Sequence, residues 1–206
     1  MEDKREIRAI NDKVNVVGES ESRRVEGYAM LFNTKSDGLD FEETILPSAM
    51  DGVLDRSNVF ALLNHDSSRG ILARSKSGTL SLSVDSKGLR YSFDAPNTQL
   101  GDELLEYLKR GEINSSSFAF TVEKDTWERK KDGSCKRTIE QIDRLYDVSP
   151  VYDAAYSKTS VCKRGLEQLQ ESEKRAEEEA EKLEKNEKKT DLSGYFEEIN
   201  CLINNF

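Results

Sequence analysis

The sequence of 206 residues holds little of what most binding and catalytic centres are built from. It has one histidine, His65, and three cysteines, Cys135, Cys162 and Cys201, which are widely scattered and form no CxxC pair. One imidazole with unclustered thiols is a thin ligand set, so no zinc centre is expected, nor any other cofactor. An odd number of distant cysteines fits reduced thiols rather than a disulfide framework. Glycine is spread over turns and forms no phosphate-cradling loop, which excludes the common nucleotide-binding motifs. Positive charge is short as well: 31 Lys and Arg stand against 40 Asp and Glu, a net charge of -9. A phosphate backbone needs a basic surface, so nucleic-acid binding is not expected as the main task. No apolar run approaches a membrane span, and the charged opening Met1-Glu-Asp-Lys-Arg-Glu6 has no apolar stretch behind it. The expectation is a soluble intracellular protein, in a cell or in a viral assembly within one.

What is present divides in two. Residues 1–162 carry nearly all the strand-like apolar segments. Arg24-Val-Glu-Gly-Tyr-Ala-Met-Leu-Phe32 is rich in strand formers, with Gly27 a candidate bulge. Thr79-Leu-Ser-Leu-Ser-Val84 and Leu89-Arg-Tyr-Ser-Phe93 alternate across the turn Asp85-Ser-Lys-Gly88, which predicts a hairpin. Two short helices are expected. One runs over Pro47-Ser-Ala-Met-Asp-Gly-Val-Leu54, opened by proline and weakened by Gly52. The other spans Thr98–Arg110, with Leu100, Leu104, Tyr107 and Leu108 on one face and Gly111 at the C-terminal cap. Strands follow at about Ile113–Lys124 and Thr138–Val148, joined by a polar loop through Asp132-Gly133. Short strands with few helices predict a mainly β fold, an antiparallel barrel or sandwich.

From residue 163 to 190 Glu and Lys dominate. Leu166, Leu169, Ala176, Ala180 and Leu183 recur at helical spacings, broken by Glu173, which predicts a charged helical linker. Residues 191–206 place Tyr195, Ile199, Leu202 and Phe206 on one face, an amphipathic helix that either docks elsewhere or folds back on the barrel.

Candidate chemistry rests on His65, at the end of Asn58-Val-Phe-Ala-Leu-Leu-Asn-His-Asp66, and on the run Ser115-Ser-Ser-Phe-Ala-Phe120. A serine becomes a nucleophile when a base takes its proton, and imidazole suits that task near neutral pH. On a strand, Ser116, Phe118, Phe120 and Val122 share one face, and the aromatic face should be the core. Ser117 is left facing a cleft beside small Ala119 and is the preferred nucleophile, with Ser115 the local alternative. Asp66 adjoins His65 and points to the other face. The orienting carboxylate is expected from Tyr146-Asp-Val-Ser-Pro150, where Asp147 is preferred and Asp143 shares its face. The bland alternative is a hydrogen-bonded structural histidine beside a polar strand edge.

Several runs in order resemble the prohead proteases of tailed bacteriophages. They are Glu26-Gly-Tyr-Ala-Met-Leu-Phe-Asn33, Phe41-Glu-Glu-Thr-Ile-Leu-Pro-Ser-Ala-Met50, Leu63-Asn-His-Asp66, Gly78-Thr-Leu-Ser-Leu82, Asp85-Ser-Lys-Gly-Leu89, Arg110-Gly-Glu-Ile113, Ser117-Phe-Ala-Phe120, Tyr146-Asp-Val-Ser149 and Ala155-Tyr-Ser-Lys-Thr-Ser-Val161. The resemblance implies a serine endopeptidase with an assemblin-like antiparallel β barrel flanked by helices. It implies His65 as general base and Ser117 as nucleophile, with a looser match at Asp147, where the family often has glutamate. Ala119 stands where a glycine is usual. The implied substrates are the major capsid protein or scaffold segments, and commonly the enzyme itself, inside an assembling procapsid in the host cytoplasm. A homo-oligomer is compatible with this, and neither nucleic acid nor membrane is an expected partner. The rival from another class is a non-enzymatic scaffold or assembly chaperone that works through the barrel and the helical tail.

Overall fold

Alternating apolar residues separated by turn chemistry give ten strands among the described residues. The computed structural model describes residues 5–10, 12–18, 22–36, 39 and 41–152, with positions 174–175, 178–179 and 182 further on. The chain divides into two units, Met1–Cys162 and Lys163–Phe206, and every described strand belongs to the first. Apart from the positions named, the expected charged linker at 163–190 lies outside the described residues, as does the expected amphipathic helix at 191–206.

In chain order the strands are β1 (Glu6–Ile10), β2 (Asn15–Val16), β3 (Arg24–Leu31), β4 (Glu42–Ile45), β5 (Phe60–Ala61), β6 (Ala73–Arg74), β7 (Leu80–Val84), β8 (Gly88–Asp94), β9 (Ser115–Arg129) and β10 (Cys135–Val151). Two helices interrupt them, α1 (Val53–Arg56) and α2 (Gln99–Arg110). One sheet has the order β1-β9-β10-β5-β6, with β4 also paired to β10; the other has the order β2-β3-β8-β7. Their inner faces share one core, with Phe118, Phe120, Ile139 and Val148 from the first sheet and Val25, Leu89, Tyr91 and Phe93 from the second. α2 adds Leu104 to it. No helix among the described residues is long and apolar enough to cross a membrane.

The mainly β expectation holds, but the closed antiparallel barrel does not. Among the described residues no strand pair joins the two sheets, and β10 pairs parallel with both β4 and β5. Antiparallel hairpins announce themselves by a turn between two alternating runs. Parallel partners come from distant parts of the chain and leave no such local mark. Asp147 and its partner Phe60, for example, are far apart in sequence.

Local chemistry explains most of the rest. The β7–β8 hairpin pairs Val84 with Leu89, and Asp85 Oδ1 accepts from the backbone N–H of Lys87 and Gly88. α2 starts at Thr98, whose hydroxyl accepts from the Gly101 N–H, and ends at Gly111. The expected helix at 47–54 is split in two. Gly52 adopts φ 66, a left-handed conformation that ends the 3₁₀ turn Pro47–Met50 and restarts the chain as α1. Gly27 is not a bulge: the register shift falls between Tyr28 and Met30. Gly27 lies opposite Tyr91, and a Cβ there would meet the phenol oxygen at 3.0 Å and the ring at 3.1 Å, so the position is small to admit the aromatic.

Candidate active site

β9, β10 and β5 are neighbours in one sheet; β9 and β10 carry Ser117 and Asp147, and the turn after β5 carries His65. Ser116 and Ser117 point to opposite faces of β9, as alternation requires. Ser116 is fully buried on the core side, where its Oγ lies 2.8 Å from Tyr91 Oη of the other sheet. Burial pushes the Tyr91 phenol well above its ordinary range. Ser117 faces away from the core. Ser115 is buried too, and its hydroxyl donates to Asn114 Oδ1 at 2.9 Å.

β10 presents its acid only because it is irregular. Its core residues Ile139, Ile142, Leu145 and Val148 are spaced by threes, which a regular strand of period two cannot place on one face. Register shifts against β9 reset the alternation, the last of them between Leu145 and Asp147. Beyond that shift Val148 pairs with Phe118 on the core side, while Asp147 and Ser149 pair with Ala119 and Ser117 on the other. Asp147 therefore shares a face with Ser117.

The base arrives from the opposite flank. After β5 the chain continues along β10, with Leu62 N–H donating to the Val148 carbonyl and Asn64 N–H to that of Pro150. Asn64 and His65 then adopt φ 53 and φ 59. Two consecutive non-glycine residues in the left-handed region are uncommon, although Asn and His are among the side chains that enter it most readily. They turn the chain and swing the imidazole back across β10. Asp66 is occupied elsewhere, accepting from Ser68 N–H at 2.9 Å and Ser68 Oγ at 2.5 Å. The Ser68 side-chain and backbone bonds hold the Asp66 carboxyl below its usual value.

The result is a line of three groups. His65 Nδ1 lies 2.5 Å from Asp147 Oδ1, and His65 Nε2 lies 2.5 Å from Ser117 Oγ. Ionised Asp147 can only accept, so the ring carries its proton on Nδ1 and turns a lone pair toward the hydroxyl. The His65 and Asp147 side chains are 18% and 11% exposed. Ser117 is only 2% exposed and Ala119 is buried, so the hydroxyl does not face the open cleft expected beside Ala119. The imidazole is the most accessible of the three groups. Asp143 is not part of the line; it accepts from Thr121 Oγ1 at 3.0 Å. Among the described residues, no group of three or more His, Cys, Asp or Glu is placed to hold a metal ion.

Two further contacts were not anticipated from the sequence. Ser117 Oγ also lies 2.9 Å from the Arg8 carbonyl of β1, so its single proton has two acceptors. Ser149 Oγ donates to Asp147 Oδ1 at 2.7 Å. The first depends on the pairing of β1 with β9, which no local pattern reveals. The second could have been read from parity, since Ser149 lies two residues beyond Asp147.

A strand-borne serine, a bridging imidazole and a carboxylate behind it have the arrangement of a serine hydrolase. The family model described as caudovirus prohead serine protease matches residues 9–174 of the chain. The chain belongs to that family, and it is a serine protease of bacteriophage capsid maturation. Among solved structures the matches include the bacteriophage T4 capsid assembly protease gp21, at 10% sequence identity and a TM-score of 0.45, covering 73% of this chain and 99% of that one. No curated protein matches the chain significantly.

Proposed function

We propose that this enzyme cuts capsid or scaffold polypeptides inside the assembling procapsid, and also cuts itself, with Ser117, His65 and Asp147 as its catalytic groups. Ser117 Oγ attacks the scissile carbonyl while His65 Nε2 takes its proton. The imidazolium formed is stabilised by Asp147 at Nδ1 and then protonates the leaving amine. Water enters, gives a proton to Nε2 and attacks the acyl-enzyme. Collapse of the second tetrahedral intermediate returns that proton to Ser117 and releases the carboxylate product.

The observation that carries this reading is that the chain's only imidazole bridges a hydroxyl and a carboxylate at 2.5 Å on either side. Confinement in a shell would let weak substrate recognition suffice, because effective concentration substitutes for affinity. The tail at 163–206 is the expected target of self-cleavage. The intact mass of the purified chain followed over time, alone and with the phage's major capsid protein, tests the proposal. The parent is expected to lose tail mass and to shorten the capsid protein. Ser117→Ala and His65→Ala should slow both on the order of a millionfold, and so to nothing measurable. Equal processing by the parent and Ser117→Ala would sink the assignment of the nucleophile. Normal shell assembly with uncut partners in both would favour the scaffold reading instead.

A further inference from the structure

Ser149 has no part in the proton path just described, yet it touches two of its three groups. Its side chain is fully buried beside Ser117 in the strand pairing. Its Oγ lies 2.7 Å from Asp147 Oδ1 and 3.3 Å from His65 Nδ1. A hydroxyl has one proton, and the shorter contact commits it to the carboxylate. The oxygen's remaining lone pairs face the Nδ1 proton as a second, longer acceptor. Asp147 Oδ1 thus receives two donors, and the three polar atoms close a triangle.

Rotation of a carboxylate about its last torsion is soft, so a lone aspartate on a strand does not hold one oxygen toward a ring. A hydrogen bond to the charged form both fixes that oxygen and spreads its charge. Packing alone explains none of this, since a buried serine can satisfy itself on the backbone. Resting on the protease reading of the site, we infer that Ser149 is a positioning residue that aims Asp147 at His65 and moderates its pull on the imidazolium.

Loss of the hydroxyl should then act in two ways. The carboxylate is less well aimed, so turnover falls. Its undiluted charge holds the imidazolium more tightly, so the acid limb of the rate profile moves to higher pH. Ser149→Ala removes one oxygen and adds no volume, which the strand tolerates, and Ser149→Thr keeps the donor.

The test uses the full chain and a fluorophosphonate, with labelling of Ser117 read by intact mass from about pH 5 to about pH 9. At saturating probe, Ser149→Ala is expected to label about ten- to a hundredfold more slowly, with unchanged half-saturation and an acid limb at higher pH. Ser149→Thr should restore both. A second readout needs no activity. With a single histidine in the sequence, the low-field Nδ1 proton resonance is unambiguous. In a Ser117→Ala background it should move on adding Ser149→Ala and return with Ser149→Thr.

Parental rate, limb and resonance in Ser149→Ala would overturn the inference. So would slow labelling with a parental limb and resonance and no rescue by threonine, since that is what packing alone predicts. An unlabelled parent whose resonance still follows Ser149 would sink the protease reading while upholding the positioning of the imidazole and carboxylate by Ser149.

Discussion

At the scale of single residues the choice between Asp147 and Asp143 turns on position along β10 rather than on face. Both acids face away from the core, but only Asp147 reaches the imidazole, while Asp143 is bonded to Thr121. Asp147→Asn should therefore lower kcat by on the order of ten-thousandfold with little change in KM, because the wrong tautomer of His65 is then held. Asp143→Asn should leave kcat within a few fold of the parent. Peptide hydrolysis by the two purified variants checks this, and a larger loss in Asp143→Asn would reverse the assignment. The face of Ser117 was legible because alternation is strict at the start of β9, and its aromatic neighbours declare which side is the core. The acid was only half legible. Ile139, Ile142, Leu145 and Val148 follow no strand period, so parity could not be carried along β10 without knowing where the shifts fall. The left-handed turn at Asn64 and His65 was not legible either, since neither side chain demands it.

At the scale of elements, β1 pairs with β9 and is anchored further by a buried cluster of charges. Arg8 makes bonds to both Glu43 carboxylate oxygens at 2.6 and 2.8 Å and another to Glu6 at 2.6 Å. Arg137 of β10 completes the cluster, bonding Glu6 and Glu43, and also Asp125 on β9. Arg8, Glu6, Glu43 and Arg137 are all buried. Removing one member strands its partners. Arg8→Met should cost about 3 to 5 kcal/mol, read as a fall in the urea midpoint at unchanged slope. The cluster also sets an acid limit. Burial alone would raise the Glu43 carboxyl, but Arg8 and Arg137 outweigh it and hold Glu43 below its ordinary value of 4.5. A depressed folded value means that the stabilisation is complete above 4.5 and is lost as pH falls through the folded value. Urea midpoints should drop through that acid range in the parent. They should drop less steeply in Glu43→Gln, which starts from a lower midpoint at neutral pH.

At the scale of the whole unit, both sheets share one apolar core, so they should melt together. Phe118→Ala, at a site 1% exposed, is expected to cost about 3 to 5 kcal/mol. Amide exchange should show β3 and β8 losing protection along with β9 and β10; separate loss would mean two folding units. The mainly β class was legible from alternation and turns, as was the β7–β8 hairpin, whose partners are close in sequence. The open, partly parallel architecture was not, since it depends on pairings between β4, β5 and β10 that only tertiary packing decides. That pairing has a temporal side. β10 is the last of the described strands to be synthesised, yet it lies in the middle of its sheet, between β9 and β5. Without β10, no pairing among the described strands holds β5 and the turn after it beside β9. A chain that ends before β10 thus has no strand to hold Ser117 and His65 to one another, and it lacks Asp147 as well. On the proposed catalytic assignment, a chain that ends before β10 is expected to cut nothing.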